Sequence, residues 1–287
     1  MKHVYMIAPS YRPLPGSVEM TRAYFENQGF KVTIPEDLLG DDLLCANQDA
    51  VRMAHLKEAL EDDTVNYIWA IAGGYGMTRL MPQLLTLKRP EKPKIFIGFS
   101  DGTALHIFLN QFWGWPSLHG FVAAHALLNK VLAENVVETF ALLENNLKPS
   151  LPLQIRPMNA ASQALESLLG KVVGGNLCLV ECSLGTPWQL DTQDKILFLE
   201  EVDERGYRID RMLTHLSQAE LFDRVRAVLL GDFMDGAEPD GSSKVWPVLE
   251  NFTAALKVPV FRLKGYGHDL QNRPLPFNVD LDFEMYF

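Results

Sequence analysis

Cysteine is scarce in this chain: Cys45, Cys178 and Cys182 are the only three in 287 residues, an odd number with no metal-ligand spacing. A disulfide framework and a cysteine-rich metal site are thereby excluded, and reduced thiols are expected. The spacing of Cys178 and Cys182 predicts two thiols on one buried helix face rather than a bridge. Basic charge is also in deficit, with 26 lysines and arginines against 36 acidic residues and a formal net charge of −10. A nucleic-acid partner, which needs a basic face for the phosphates, is not expected. No apolar run reaches the roughly 18 residues of a membrane span. The apolar stretch within Met1–Pro9 is too short for a signal peptide, so the expected location is the cytoplasm, with no membrane partner. Internal repeats and low-complexity tracts are lacking too.

What is present is a globular composition: 47% hydrophobic and 22% charged residues, in a chain long enough to bury a large core. Short apolar runs alternate with helical patterns through the first half. Val4–Ala8 precedes the amphipathic Val18–Gln28, Phe30–Ile34 precedes Asp49–Leu60, Tyr67–Ala72 precedes Thr78–Leu87, and Ile95–Gly98 precedes Thr103–Phe112. Repeated βα units predict a parallel sheet with helices on both faces. Ligands gather at the carboxyl ends of such strands, where this chain carries Pro9-Ser10, Gly73-Gly74-Tyr75-Gly76 and Gly98-Phe99-Ser100-Asp101.

Between about residues 145 and 167 the periodicity breaks among Pro149, Pro152 and Pro157. A domain boundary is placed there, giving units 1–155 and 156–287. The second unit reads as the strand Lys171–Val173, a turn at Gly174-Gly175-Asn176, a helix to Leu184 and the strand Lys195–Glu200. The helix Tyr207–Ala219, the strand Ala227–Gly231, a helix over Val245–Leu256, the strand Val258–Arg262 and an extended tail over 274–287 follow.

Gly98-Phe99-Ser100-Asp101-Gly102 has the G-x-S-x-G form between a strand and a helix, a turn that pushes a hydroxyl out of the backbone. Such a serine becomes a nucleophile only when a base takes its proton and a third group orients that base. Of seven histidines, His55 and His215 fall on helical patterns among charged residues and are expected to be solvated, while His106 is expected to pack. His268, in the loop Gly265-Tyr266-Gly267-His268, is the foremost candidate base, with His119 its rival. Glu200 ends a buried strand, where a carboxylate needs a partner, whereas its neighbour Glu201 reads as a solvated strand end. The Gly73–Gly76 turn lacks the spacing of a nucleotide-binding loop but could offer amides to an oxyanion.

With these residues in place the chain resembles the LD-carboxypeptidase family, serine peptidases that trim the tetrapeptide stems of peptidoglycan and are related to microcin-immunity peptidases. The resemblance spans nearly the whole chain. It rests on Ile7-Ala8-Pro9-Ser10, Gly73–Gly76 with Arg79-Leu80, Gly98–Asp101, His119-Gly120, Gly174-Gly175-Asn176-Leu177, Gly185-Thr186-Pro187, Leu199-Glu200 with Glu204 and Arg211-Met212-Leu213, and Gly267-His268. It implies an α/β fold: an N-terminal Rossmann-like or flavodoxin-like parallel-sheet domain carrying Ser100, a smaller C-terminal α/β domain carrying Glu200 and His268, and a site between them. By the same resemblance Ser100 is the nucleophile, His268 the base and Glu200 the orienting acid. Gly76 and Asp101 supply oxyanion amides, and Gly74, Tyr75 and Asn176 meet the substrate. No cofactor or metal is implied; a murein peptide substrate and a homodimer are. Where many relatives carry an arginine before the glycine turn, this chain has Ala72, so a cationic anchor for a substrate carboxylate is either missing or supplied elsewhere. Alternatives are a microcin-immunity-like hydrolase of peptidyl or acyl nucleotides, an α/β-hydrolase-type esterase, and a non-catalytic peptide- or sugar-binding protein.

Overall fold

Every residue of strand β1 (His3–Ile7) is buried, yet its side chains enter two different cores. Tyr5 and Ile7 join one apolar cluster, while Val4 and Met6 join another with Phe25, Trp69 and Phe121. A parallel sheet covered on both faces requires this, since successive side chains point to opposite sides. These features come from a computed structural model that describes residues 1–286.

The chain continues through β2 (Lys31–Thr33), β3 (Tyr67–Ala70), β4 (Ile95–Gly98), β5 (Ser117–His119), β6 (Leu153–Pro157), β7 (Leu168–Asn176) and β8 (Ile196–Val202). It ends with β9 (Ala227–Met234), β10 (Val260–Arg262), β11 (Leu275–Phe277) and β12 (Asp280–Met285). The first sheet is six-stranded, in the order β11-β5-β4-β3-β1-β2. Its β1 to β5 run parallel, and β11 returns from the far end of the chain to pair antiparallel with β5. The register sets Gly98 beside His119.

The other strands close a barrel in the order β10-β6-β12-β7-β8-β9. Its parallel part is β7-β8-β9-β10, closed by β6 and β12. Alternation along β8 fills it: Ile196 and Phe198 point inward with Leu229 and Phe261. Leu197 and Leu199 point outward into the cluster that also holds Leu105 and Phe108 of the helix Thr103–Phe112. One apolar core is thus continuous from the first sheet to the outside of the barrel. Among the described residues, no helix is long and apolar enough to cross a membrane.

Three expectations change. The turn expected at Gly174–Asn176 is the continuation of β7. Both glycines lie at positive φ, and a Cβ on Gly175 would stand 2.5 Å from Thr103 Oγ1, so the glycines admit the helix start against the strand. The single helix expected over Thr78–Leu87 is a 3-10 turn, Met77–Leu80, followed by the short helix Met81–Leu84, with Pro82 in its first turn. Within the proline-rich crossing lies β6, whose Leu153 and Ile155 are buried while Gln154 and Arg156 are exposed.

Candidate active site

Ser100 has φ 57°, in the left-handed region, between the extended Phe99 and the 3-10 turn Ser100–Gly102 that leads into the helix Thr103–Phe112. A serine held there costs on the order of 1–3 kcal/mol, which the packed surroundings must offset. The flanking glycines leave room for the Phe96 ring: a Cβ on Gly98 would lie 2.8 Å from it, and one on Gly102 a tight 3.2 Å. Beneath the turn, His106 Nε2 meets Gly98 O at 2.9 Å and Nδ1 meets Ser117 Oγ at 2.7 Å. Burial pushes His106 down to about 3, so it is a neutral packing residue, as its position in the helix predicts.

Glu200, two residues inside the end of β8, is fully buried, and its Oε2 lies 2.6 Å from Nδ1 of His268. Burial would raise this carboxyl, but His268 and His119 together outweigh that and hold it at about 2. The effect is reciprocal. Burial pushes the His268 imidazole down, yet Glu200 keeps it above its ordinary 6.5. His268, 15% exposed, shares with Ser100 the lining of one cavity of about 320 Å³. Ser100 and His268 thus share one opening, and Glu200 lies behind it, bonded to His268. The cavity wall includes Arg12, Lys130 and His125 and contains no carboxylate, in a chain of net charge −10. Burial, then the charge of Lys130, holds His125 down near about 4, leaving it neutral.

The LD-carboxypeptidase N-terminal domain matches residues 4–120 and the LD-carboxypeptidase C-terminal domain matches residues 169–283. The chain belongs to the LD-carboxypeptidase family, and it is an enzyme of that class. A Rickettsia conorii protein that bears a provisional carboxypeptidase name is 40% identical over 235 residues, 82% of this chain and 73% of its own length. The murein tetrapeptide carboxypeptidase of Pseudomonas aeruginosa is 28% identical over 285 residues, 96% of this chain and 90% of its own. Two solved structures share the fold. The muramoyltetrapeptide carboxypeptidase of Oxalobacter formigenes has a TM-score of 0.77 at 24% identity, covering 98% of this chain and 94% of that one. MccF in complex with glutamyl sulfamoyl guanosine has a TM-score of 0.79 at 18% identity, covering 99% and 93%.

Other expected site residues of this family member fall differently. Gly74 lines the cavity, but Tyr75 and Gly76 do not. Gly76 O accepts from Arg52 Nη1 at 3.0 Å, which draws that part of the turn toward the buried guanidinium. Gly73, part of the turn expected to serve the site but not among its individually named residues, is the one that reaches the serine: a Cβ there would lie 3.6 Å from Ser100 Oγ. Its carbonyl accepts from Tyr11 N at 3.1 Å. Because a trans peptide sets N–H opposite C=O, the next amide, that of Gly74, points the other way. The Asp101 side chain, which sequence reasoning passed over, is buried and accepts from Ser10 Oγ at 2.5 Å and Met77 N at 2.7 Å. Burial raises its proton affinity, against the pull of those two donors and of Arg52.

Asn176 does not reach the cavity. It is buried, caps the helix Leu177–Cys182, and donates to Glu201 Oε1 at 2.7 Å. Glu201 is 4% exposed, not the solvated strand end expected, because that helix covers it and Cys178 N donates to its Oε2 at 2.8 Å. Burial first, then Glu200 beside it, raise its carboxyl to about 7. His55 is likewise buried, with Nε2 2.8 Å from Asp37, whereas His215 is exposed as expected. Cys182 is exposed and Cys178 half-buried against the core, so the fully buried face of that helix is Leu177 and Val180 rather than two thiols.

Proposed function

We propose that this protein is a serine LD-carboxypeptidase that releases the terminal D-alanine of murein tetrapeptides, with Ser100 as nucleophile, His268 as base and Glu200 as its orienting acid. The observation that carries the reading is the 2.6 Å bond between His268 Nδ1 and Glu200 Oε2, with His268 and Ser100 lining one cavity. That bond leaves Nε2 for the serine proton.

In this reading Ser100 Oγ attacks the carbonyl carbon of the scissile L,D bond while His268 Nε2 takes its proton. The tetrahedral oxyanion is held by the backbone amides of Asp101 and Gly74, each worth about 3 kcal/mol in such a site. The carbon–nitrogen bond then breaks, His268 protonates the departing D-alanine amine, and water opens the acyl-serine by the same proton route. The amides of the Gly73–Gly76 turn have no protein acceptor among the described residues, which suits this use. The two-unit division near residue 155, a cytoplasmic location and a homodimer belong to the same reading; fractionation and light scattering test the last two.

Mass spectrometry of a free murein tetrapeptide incubated with the protein tests the proposal. The parent should remove one alanine and Ser100→Ala should not, while both melt at the same temperature. Turnover by folded Ser100→Ala would overturn the nucleophile. One observation favours a second reading, a microcin-immunity-like hydrolase of acyl nucleotides: Tyr11, 57% exposed, lines the cavity and offers a face on which a base could stack. Cleavage of an acyl sulfamoyl nucleotide in preference to the tetrapeptide would select it.

A further inference from the structure

Glu200 Oε2 is taken by His268, but its other oxygen, Oε1, has no hydrogen-bond partner although it is buried. Facing it is His119, at the end of β5, whose Nε2 stands 3.9 Å away. His119 is fully buried, and neither of its ring nitrogens has a partner. Three unsatisfied polar atoms in one buried spot are far from the usual state of protein interiors, where such groups are paired. A shift of about 1 Å would bring Nε2 and Oε1 into hydrogen-bond range.

No acceptor lies within hydrogen-bond range of either His119 nitrogen. Its ring is caged by Phe198, Phe277 and Phe99, with centroids at 5.1 Å, 5.5 Å and 6.1 Å. His106, at 6.2 Å, is committed through both nitrogens to Ser117 and Gly98. Glu201 turns to Asn176 and Cys178. The titratable groups facing His119 are thus Glu200 and His106, with His268 beyond the carboxylate.

We propose that His119 is a positioning residue that donates from Nε2 to Glu200 Oε1, so that Glu200 is held between two histidines. This rests on the reading of His268 as base. One donor on each oxygen fixes the carboxylate's rotation and keeps Oε2 on His268. The clamp also spans the molecule, because His119 belongs to the first sheet and Glu200 to the barrel. Loss of His119 would throw more of the carboxylate's charge onto His268 and raise its affinity for a proton.

The test compares His119→Phe, which fills the aromatic cage without a donor, with His119→Gln, which keeps one. In the full chain His119→Phe should lower kcat on tetrapeptide by roughly tenfold, the scale of one lost buried hydrogen bond. KM should stay near the parent value and the acid limb of the kcat/KM profile should move to higher pH. His119→Gln should recover most of the loss. NMR titration of His268 in parent and His119→Phe proteins gives a readout that needs no turnover, and its midpoint should rise in the variant. Unchanged kcat, pH profile and His268 midpoint in folded His119→Phe would overturn the proposal. If that variant does not fold, His119→Leu, which also lacks a donor, is read in its place: a raised His268 midpoint supports the proposal and an unchanged one overturns it. Activity retained by His268→Ala would instead overturn the assignment of the base, leaving the NMR comparison to judge His119 separately.

Discussion

Gly267 gives way to Glu200: a Cβ built on that glycine would stand 3.2 Å from the carboxylate's Oε2, the atom that holds His268. The glycine also lies at φ 144°, a conformation that side chains rarely adopt. Gly267→Ala is expected to shift the acid–base pair and lower kcat on the order of 10²-fold, the scale of an ångström misplacement at a reacting group. Steady-state kinetics beside a melting curve checks this, since a purely structural lesion would lower stability and leave kcat of the folded fraction intact.

The pH profile follows from His268, whose imidazole is held above 6.5 by Glu200. A base must be neutral to act, so the rate falls as pH drops through a midpoint above 6.5. In Glu200→Gln the main supporting charge is gone and burial is opposed only by the smaller pull of Glu201 and Asp203, which moves that limb to lower pH. The same variant should lose roughly 10⁴-fold in kcat, as expected when the base is no longer held in the right tautomer. A limb that stays in place would remove Glu200 from its role.

Sequence alone carried much of the architecture here, and the reasons are physical. Ile95–Gly98 and Thr103–Phe112 coincide with the structural elements because apolar periodicity and the glycine turn mark both ends. The barrel was not legible, because β6 and β12 are far apart in sequence and become neighbours only through long-range pairing. At the site, Ser100, Glu200 and His268 were legible as strand-end and loop residues. Gly73, Asp101's side chain and Arg12 were not, since their roles come from loops that meet only in the fold. Glu201 shows the converse: an exposed strand end by pattern, buried by a neighbouring helix.

Glu201 also gives a stability prediction. Its carboxyl is raised on folding from 4.5 to about 7. The folded state therefore holds this proton more tightly than the unfolded one, so the contribution is full below 4.5 and is lost as pH rises toward 7. Thermal melts should show stability falling over that interval, and Glu201→Gln should flatten the slope. An equal slope in both proteins would assign it to other groups.

Arg12 and Lys130 stand in a cavity wall without carboxylates, near the position where Ala72 offers no cation. A double Arg12→Gln, Lys130→Gln variant is expected to raise KM for the free-acid tetrapeptide about tenfold or more, the order of a lost charged hydrogen bond. kcat should change little, and turnover of the C-terminal amide of the same peptide should be indifferent to the substitutions. Equal losses on acid and amide would rule out recognition of the terminal carboxylate by these two side chains.

The strand Leu275–Phe277 leaves His268 suspended between two anchorages. Upstream, the chain is fastened to the barrel at Val260–Arg262 and again at Tyr266, whose carbonyl accepts from Asp232 N; downstream, Leu270 O accepts from Leu132 N before the strand joins the first sheet beside Ser117–His119. The serine sits on one body and the histidine on a span strung between both. In the proposed mechanism any sliding of the sheets past one another would change the distance a proton must cross, making the rate of bond cleavage a gauge of how firmly those anchorages hold.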